Sequence, residues 1–570
     1  MRRSLFIQSL FLLVFILTAV SCHDSEESVN ARLFKPSNVK VYSNYNGLTV
    51  MWDRSPGATS YEIEVAKNES FEPIVVAETV PPEKFVTSIK NLEEETLYFV
   101  RVRGLGKTAE TSSHYVQVSV ETGLIPSIFE NIAYEEMGYD NLTLRWEEPE
   151  ITEEGAEPFR ADRIILTASG SEDRTVELTA ENLEKKSVHI EGLNTGVSYK
   201  ASMMDGDAIV SYVFFDMPER PEGAIEIDNT GSLKNTIENA PDGATVILKA
   251  GQVYDHSKDD IAIDRNITII GAPGGKTPVV HIKKFVLGGK IKSESHINLI
   301  RFSHIEISGM PIVGGVEADI ATVAPSGWAF GFDVKDYVRK VSIDKFSLEN
   351  CVIRNFEQAA IRVDWTIKDG SSLRFGEISV NNLLAYDLGR KIDGVQAFIH
   401  LNSNDGNKGI HCAKYTIKNS TFYHLATGLI EARKCSDITD EAPTVEISNC
   451  TFDKFAIIYP NAKAGTNESS RSLFNFKSYN SATISISNSV FGEAKTDWSI
   501  LLKPQALESG AVWGTCVNSY ICNDTKFTDM SKLQKKELGA NEIFPNRGQF
   551  DFTIAESAML IGAGDPRWNK

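Results

Sequence analysis

Between residues 34 and 218 the chain alternates apolar and polar positions in short runs, as strands with one buried face do. In the run LTVMWD (48–53) Leu48, Val50 and Trp52 fall on one face, and LTLRWEE (142–148) repeats that pattern. The run SYEIEVAK (60–67) continues the alternation in the first block. Two β-rich modules of similar design are therefore predicted. Trp52 and Trp146 occupy the inward phase of their strands, which predicts that both are core residues.

Each block closes on the same spacing of a Leu, a β-branched residue and a Tyr: Leu92, Thr96 and Tyr98, then Leu193, Val197 and Tyr199. An early core Trp followed by this late Leu and Tyr resembles the fibronectin type III family. The resemblance covers residues 34–124 and 125–218. It implies a β-sandwich in each block.

Near residue 221 the pattern changes. Ser232, Leu233, Thr236 and Ile237 open a short amphipathic segment, and the apolar runs ATVILKAG (244–251) and NITIIG (266–271) follow it. This order is similar to the beginning of pectate-lyase-like β-helices. There a helix covers the first coil and hides its unpaired backbone groups.

A repeat then dominates the chain. Five segments, 347–356, 379–388, 416–425, 446–455 and 485–494, share an Asn followed by apolar residues at alternate places, and 300–309 resembles an earlier copy. The register of a leucine-rich repeat is absent, and blades of four strands, which a β-propeller requires, do not recur. The prediction is an all-β chain: two β-sandwich modules, then a right-handed parallel β-helix over residues 222–570. Stacked Asn side chains are expected to form an amide ladder at one turn.

A second apolar strand follows each Asn-bearing one. Aligning these strands by inward phase gives two columns of outward positions, which are polar except for Leu501: Arg362, His400, Glu431, Asn475 and Leu501, then Asp364, Asn402, Arg433, Lys477 and Lys503. Such a flat, basic strip suits a polysaccharide that contains uronate, because Arg and Lys pair with carboxylates. The net charge of −19 disfavours nucleic acid as a partner, so an anionic substrate needs a local patch of this kind.

The strip suggests β-elimination, in which a base removes the proton beside a uronate carboxylate and a cation stabilises that carboxylate. Lys477 is the candidate base, Arg433 the carboxylate clamp and His400 an alternative proton carrier. Arg362, Asn475 and Lys503 are candidate substrate-binding residues. Oxygen ligands for calcium are expected from Asp364, Asn402 and Glu431, with Asp393 as a further ligand. Asp364 and Glu431 lie two coils apart, so the carboxylate cluster of a glycoside hydrolase is not predicted.

The N-terminus has a basic start, an apolar run over 5–20 and small residues before Cys22, which indicates a signal peptide over 1–22. The small residues before a Cys resemble a bacterial lipobox, implying lipidation of Cys22, a tether over 23–33 and an outer-membrane anchor. The remaining cysteines allow two disulfides, Cys412 with Cys435 and Cys516 with Cys522. Cys351 and Cys450 occupy equivalent repeat positions and are expected to be buried thiols.

The whole layout, including the closing segment GDPRW (564–568), is similar to uncharacterised surface lipoproteins of Bacteroidales. The resemblance implies polysaccharide capture or degradation at the cell surface. Two alternatives stay open, a non-catalytic glycan-binding protein and an adhesin-like protein. A glycan binder would need exposed aromatic side chains, for which Trp328, Trp365 and Trp498 are candidates.

Overall fold

The structure is a computed structural model that describes most of the chain. The described residues are 32–148, 159–289, 293–332, 336–364, 367–389, 397–402, 409–425, 428–432, 442–455, 472–477, 479–494, 505–507, 510–525, 527 and 529–568. They fall into two compact units. One runs up to Asn131 and also contains Leu144–Val188 and Ser198–Phe215; the other contains Ile132–Thr143, His189–Val197 and the chain from Asp216 onward. The module boundaries drawn from the sequence stay predictions.

The first block is a β-sandwich of two antiparallel sheets, as expected for a fibronectin type III-like module. Trp52 is 4% exposed and packs at 5.4 Å from Tyr61, so its predicted core position is confirmed. Tyr98 accepts a hydrogen bond from the backbone of Glu93 at 3.0 Å, which fixes the chain where it enters its strand. The three-stranded sheet contains Lys40–Asn44, Gly47–Met51 and Val86–Ile89; the four-stranded sheet contains Ile74–Val80, Ser60–Ala66, Leu97–Leu105 and Val116–Glu121.

The second block repeats the design. Trp146 is 1% exposed and confirms the second predicted core Trp. Its four-stranded sheet contains Arg174–Glu177, Arg163–Ala168, Ser198–Asp205 and Ala208–Asp216, and its two-stranded sheet contains Ser187–Glu191 and Asn141–Arg145. A short helix, Ala180–Lys185, joins the two sheets and begins with a capping box at Thr179. A 3-10 turn spans Tyr134–Glu136.

Beyond residue 224 the strands stack in parallel and form a β-helix, as predicted; its handedness stays a prediction. Two long sheets make the walls. The ten-strand sheet contains, in spatial order, Ile225–Ile227, Ala244–Leu248, Ile267–Gly271, Glu294–Ser303, Lys340–Glu349, Ser372–Asn381, Ile410–Lys418, Thr444–Ser448, Ala482–Ser487 and Ala511–Val517.

The second sheet has two arms that meet at the strand Val279–Leu287. Val279 pairs with Glu306 of the first arm, and Phe285 pairs with Phe330 of the second arm. The first arm contains Glu306–Ser308, Val352–Phe356, Leu384–Leu388, Thr421–Leu425, Thr451–Phe455, Val490–Phe491, Tyr520–Ile521 and Gln534–Lys535. The second arm contains Trp328–Phe332, Ala359–Val363, Ile399–Leu401, Ile430–Ala432, Ser472–Asn475 and Gln505–Leu507. Val253–Ile263 also pairs with Val279–Leu287, and Ile312–Val313 with Val316–Glu317 forms a small hairpin.

The helix Leu233–Asn239 buries Leu233 and Ile237 in the solenoid core, which confirms the predicted amphipathic helix. Inside the solenoid, apolar side chains of successive coils stack on one another. The rings of Phe422, Phe452 and Phe491 are nearly parallel, with centroids 5.1 and 4.5 Å apart. These contacts continue the core from coil to coil.

The predicted Asn ladder is confirmed at the turn between the ten-strand sheet and the first arm. Its residues adopt a left-handed backbone, with φ between 45° and 53°, and Asn tolerates this conformation better than most residues. Asn382 donates to Asn350 at 2.7 Å, and Asn449 donates to Asn419 at 3.0 Å. His304 occupies the same left-handed position in the earlier copy. The ladder residues are Asn350, Asn382, Asn419, Asn449, Asn488 and Asn518.

The last described residues, 540–568, form a C-terminal clasp that packs on the outside of the first arm. It contains the helix Ala540–Ile543 and the 3-10 turns Arg547–Gln549, Glu556–Ala558 and Pro566–Trp568. Thr421 donates to the Asp565 carboxylate at 2.7 Å, and the Asp565 amide donates to Thr451 at 2.9 Å. Gly564 has φ +89°, and a Cβ there would lie 3.1 Å from Thr451, so glycine suits this position. The motif GDPRW therefore joins neighbouring coils.

The cysteines in the described residues are thiols. The pairing of Cys516 with Cys522 that the sequence allowed is not formed: Cys516 lies in the ten-strand sheet, whereas Cys522 is buried after a first-arm strand. Cys412 is a buried thiol, and Cys435 lies outside the described residues. Cys351 and Cys450 are buried in the core, as expected, and burial raises the pKa of Cys351 to about 12.

No helix among the described residues is long and apolar enough to cross a membrane. Cys22 and the signal peptide lie outside the described residues, so lipidation stays a prediction.

Candidate functional site: the outer ladders of the two arms

The first polar column drawn from the sequence lies on the second arm, in the predicted register. Arg362 pairs with His400, His400 with Glu431, and Glu431 with Asn475. Ile361, the residue before Arg362, points to the core. Alternation along the strands was therefore sufficient to align this column.

The expectation that this column is an exposed strip is wrong. Arg362 is 9%, His400 3%, Glu431 2% and Asn475 3% exposed. The side chains contact one another across the coils: His400 Nδ1 lies 3.7 Å from a Glu431 oxygen, and Asn402, 1% exposed, donates to the other Glu431 oxygen at 3.0 Å. Buried polar groups need such partners, so the column is a buried polar network in this structure.

Lys477, the predicted base, is exposed, and its backbone amide donates to the Asn475 side chain at 3.2 Å. The backbone of Lys477 therefore contacts Asn475, whereas the Lys477 side chain is exposed to solvent. The predicted clamp Arg433, the substrate-binding Lys503 and the further calcium ligand Asp393 lie outside the described residues, as do Leu501, Trp365 and Trp498. The catalytic and substrate-binding roles given to these residues stay predictions.

Calcium binding by Asp364, Asn402 and Glu431 stays a prediction. Asn402 turns its amide nitrogen, rather than its oxygen, toward Glu431. Burial lowers the pKa of Arg362, and the charges of Asp364 and Glu431 oppose that effect, so a guanidinium already balances these carboxylates. The described residues contain no group of three or more His, Cys, Asp or Glu side chains that could hold a metal.

Trp328, a candidate aromatic platform, is partly buried. The guanidinium of Arg362 lies 5.5 Å and the ammonium of Lys284 lies 5.3 Å from its ring. Cations at this distance are attracted to the ring, so Trp328 belongs to the polar network of the second arm.

A second outer ladder lies on the first arm, four and five residues after each of the first four ladder Asn residues. Arg354 pairs with Tyr386, Tyr386 with Tyr423, and Tyr423 with Asp453. The residues that follow them, Asn355, Asp387, His424 and Lys454, all have a left-handed backbone with φ between 47° and 59°. We call the partly exposed centre of this ladder the Tyr–His face; it consists of Tyr386, Asp387, Tyr423, His424, Lys454 and the clasp residue Phe550.

The left-handed residue changes where side chains point. Successive side chains of a regular strand project to opposite faces. At His424, with φ 58°, the alternation is interrupted: Phe422 and Leu425 are buried in the core, whereas Tyr423 and His424 are both partly exposed. Their ring centroids are 5.9 Å apart. Two neighbouring side chains therefore share the outer face.

Contacts between coils hold these side chains. His424 Nδ1 is hydrogen-bonded to the Asp387 carboxylate, with the two side chains 27% and 28% exposed. Lys454 donates to the Tyr423 hydroxyl at 2.9 Å. Phe550 of the clasp packs edge-on against Tyr386 and Tyr423, at 4.9 and 5.1 Å. Burial raises the pKa of Tyr386 to about 12, so its phenol is neutral at ordinary pH.

Ion pairs close both ends of the ladder. Arg354 is bidentate to Glu317 of the hairpin and also donates to Glu306 at 2.6 Å. Burial acts to raise the pKa of Glu317, but the Arg354 guanidinium outweighs it and lowers that pKa. At the other end Arg547 of the clasp bridges Asp453 at 2.8 Å and Glu493 at 2.6 Å. These ion pairs lie at the two ends of the ladder, and the Tyr–His face lies between them.

Sequence reasoning did not select the Tyr–His face. The signal was present in the repeats, where the fourth and fifth positions after the ladder Asn read Arg-Asn, Tyr-Asp, Tyr-His and Asp-Lys. Apolar residues flank these polar and aromatic pairs. Two consecutive polar positions in a strand pattern indicate a bulge or a left-handed residue.

No protein-family model and no curated protein matches this sequence. Among solved structures, the chain is similar to a segment of two fibronectin type III domains from chicken tenascin, at 14% identity over 32% of this chain and 99% of that one, with a TM-score of 0.16. It is also similar to a fibronectin type III domain of human collagen α-1(XX), at 25% identity over 18% of this chain and 95% of that one, with a TM-score of 0.15.

Proposed function

We propose that this protein binds a polysaccharide along the first arm of its β-helix, across the Tyr–His face. The supporting observation is the pairing of Tyr386 and Tyr423 on neighbouring strands, with both rings partly exposed and both braced by Phe550. Ligand sites combine aromatic surface with a small number of fixed polar groups. Tyrosines held in this way offer such a surface with little conformational freedom to lose.

The polar groups of the face suit a sugar chain. Asp387, His424 and Lys454 lie on three consecutive coils, and parallel strands are spaced by roughly 4.8 Å. A polymer that runs along the solenoid can therefore meet one polar side chain per coil. Lys454 places a positive charge beside the tyrosines in a protein whose net charge is −19, which favours acidic over neutral polymers at this position.

We propose further that the protein acts at the cell surface, anchored to the outer membrane by a lipid on Cys22. The sandwich modules would then hold the β-helix away from the membrane. Support for this location comes from the sequence, through the signal-like segment over residues 1–22 and the Cys that follows small residues.

Affinity electrophoresis of the purified protein in gels containing polygalacturonate, alginate or a neutral glucan tests binding. Retardation by at least one polymer is expected. Tyr386→Ala and Tyr423→Ala should each weaken it by about 10- to 100-fold, because burying one aromatic side chain contributes roughly 1.5–3 kcal/mol. Tyr42→Ala, a change at a tyrosine that is 55% exposed on the first sandwich, is the matched control and should bind normally.

Two results would overturn the proposal. One is free migration of the wild-type protein through every polymer, which would favour the adhesin-like alternative. The other is retardation that both face variants retain in full, which would place binding elsewhere. Circular dichroism of each variant checks that the solenoid is folded.

A further inference from the structure

The Tyr–His face holds two proton-transferring side chains next to each other, each supported by a different neighbouring coil. Tyr423 and His424 are adjacent in sequence and project to the same side because of the left-handed backbone at His424. Asp387 of the preceding coil binds His424, and Lys454 of the following coil binds Tyr423. A stacking platform alone needs neither of these partners.

The contact with Asp387 determines the chemistry of His424. When Nδ1–H donates to the carboxylate, Nε2 is the basic nitrogen of the ring. The carboxylate also stabilises the imidazolium that forms when Nε2 accepts a proton. This arrangement orients His424 as a general base and makes Asp387 a positioning residue.

The contact with Lys454 has the opposite effect on Tyr423. An ammonium has donors and no acceptor, so in this hydrogen bond the phenol oxygen must be the acceptor. The phenol can then direct its own proton to another acceptor. The nearby ammonium stabilises the phenolate that remains after the proton is given away. Tyr423 is thereby set as a general acid.

We infer that Tyr423 and His424 form a general acid–base pair that cleaves a uronate-containing polysaccharide by β-elimination. The inference rests on the proposed function. His424 Nε2 takes the proton from C5 beside the uronate carboxylate, and the electron pair of that C–H bond forms the C4–C5 double bond. The C4–O bond to the leaving sugar breaks, and its oxygen takes the proton of Tyr423. Solvent returns the proton from His424 to Tyr423, so no co-reactant is consumed.

The uronate requirement follows from the same geometry. Abstraction of a C–H proton needs a neighbouring carboxylate whose developing charge is stabilised. The Lys454 ammonium carries three donors and can hold the phenol oxygen and a uronate carboxylate together. Arg354 is bound to Glu306 and Glu317, so it serves the ion-pair network at the end of the ladder.

The test uses variants that keep the local backbone and packing. His424→Asn removes the base and retains a residue that tolerates the left-handed conformation. Tyr423→Phe removes only the hydroxyl. Lys345→Ala, in an ion pair with Glu377 at 3.6 Å on the ten-strand sheet, is the control. Polygalacturonate, alginate and chondroitin are the probes, and the ultraviolet absorbance of the unsaturated product is followed beside the electrophoretic binding assay.

The expected result is a rise in absorbance with at least one probe, reduced about 100-fold or more in His424→Asn and in Tyr423→Phe, since general acid–base groups contribute 10²–10⁴ in rate. Binding should persist in both variants. Binding without any rise in the wild-type protein would overturn this inference and leave the proposed function intact. A rise that both variants retain would also overturn it. Absence of binding and of cleavage on every probe would remove both.

The role of Asp387 gives a separate readout. Asp387→Asn keeps a residue that tolerates its φ of 55° and removes the charge beside His424. A positioning role predicts that kcat falls while KM changes little, because the carboxylate that orients the His424 ring is lost. An unchanged kcat would overturn the positioning role.

Discussion

Asp565 is one of the residues that hold the C-terminal clasp to the first arm, and its removal gives a sharp test of the fold. The side chain is 1% exposed. Its carboxylate accepts a hydrogen bond from Thr421 at 2.7 Å and another from the Arg567 amide at 3.0 Å, and it pairs with Arg567 Nε at 3.1 Å. Asp565→Ala removes these three contacts and leaves a partly buried guanidinium without its carboxylate.

The expected loss is about 3 kcal/mol in the free energy of clasp opening. Breaking a buried ion pair by removing one partner costs roughly 3–5 kcal/mol. The lower end applies here, because burial raises the pKa of Asp565 even though Arg567 opposes it, and because the Arg567 side chain is 23% exposed. Since about 1.4 kcal/mol changes an equilibrium constant tenfold, the clasp should open roughly 100 times more often.

Hydrogen–deuterium exchange with peptide resolution measures this opening. Amides of the strands Thr421–Leu425 and Thr451–Phe455 should exchange about 100-fold faster in Asp565→Ala, whereas those of Lys340–Glu349 should not change. Asp207→Ala, at a side chain that is 99% exposed, is the control. Exchange within threefold of wild type at the first two strands would refute the reasoning. Acceleration in all strands alike would show that the clasp does not open as a local unit.

Two further predictions concern the ladder and the hairpin. Asn419 has a φ of 49°, and its replacement by Gly should lower the free energy of unfolding by about 1 kcal/mol for each lost side-chain amide hydrogen bond. Asn419→Ala should cost a further ~1–2 kcal/mol because Ala is strained in the left-handed conformation. The midpoint of urea denaturation should therefore fall from wild type to Asn419→Gly to Asn419→Ala, and equal midpoints for the two variants would contradict this. The lowered pKa of Glu317 stabilises the docked hairpin above the ordinary Glu pKa of 4.5, and this stability is lost as the pH falls through the folded-state pKa. Protection of the hairpin amides, measured relative to their intrinsic exchange rate at each pH, should therefore fall at acid pH in the wild-type protein. It should not fall in Glu317→Gln.

The repeats were sufficient to predict the solenoid because the same turn chemistry recurs in each coil. An Asn in each repeat indicates a position where the backbone turns left-handed, and the ladder bonds between Asn382 and Asn350 show why the amide is retained. The strands of the second arm were found by their alternation, as the pairing of Arg362 with His400 shows. The sequence pattern did not reveal that each Asn-bearing segment is divided at its left-handed Asn into a strand of the ten-strand sheet and a strand of the first arm.

The candidate site was harder to predict for a different reason. Alternation identifies which side of a strand a residue occupies, and it aligned Arg362 with His400 correctly. It does not show whether that outer side is covered, and both side chains are buried. On the first arm the assumption of strict alternation fails at His424, so Tyr423 and His424 could not be assigned to one face from spacing alone.

Each coil around the Tyr–His face has two left-handed positions, and they differ in what they allow. The first is an Asn whose amide bonds to the next coil, as at Asn350 and Asn382, so its identity is fixed by the ladder. The second has the same backbone but different side chains in successive coils: Asn355, Asp387, His424 and Lys454. A solenoid whose turns are fixed at the first position can vary the second without altering its register. The fold thus places the acidic Asp387, the imidazole of His424 and the basic Lys454 on three consecutive coils, where contacts between coils hold them in fixed positions. Acid–base chemistry on a polymer requires side chains that are held in this way.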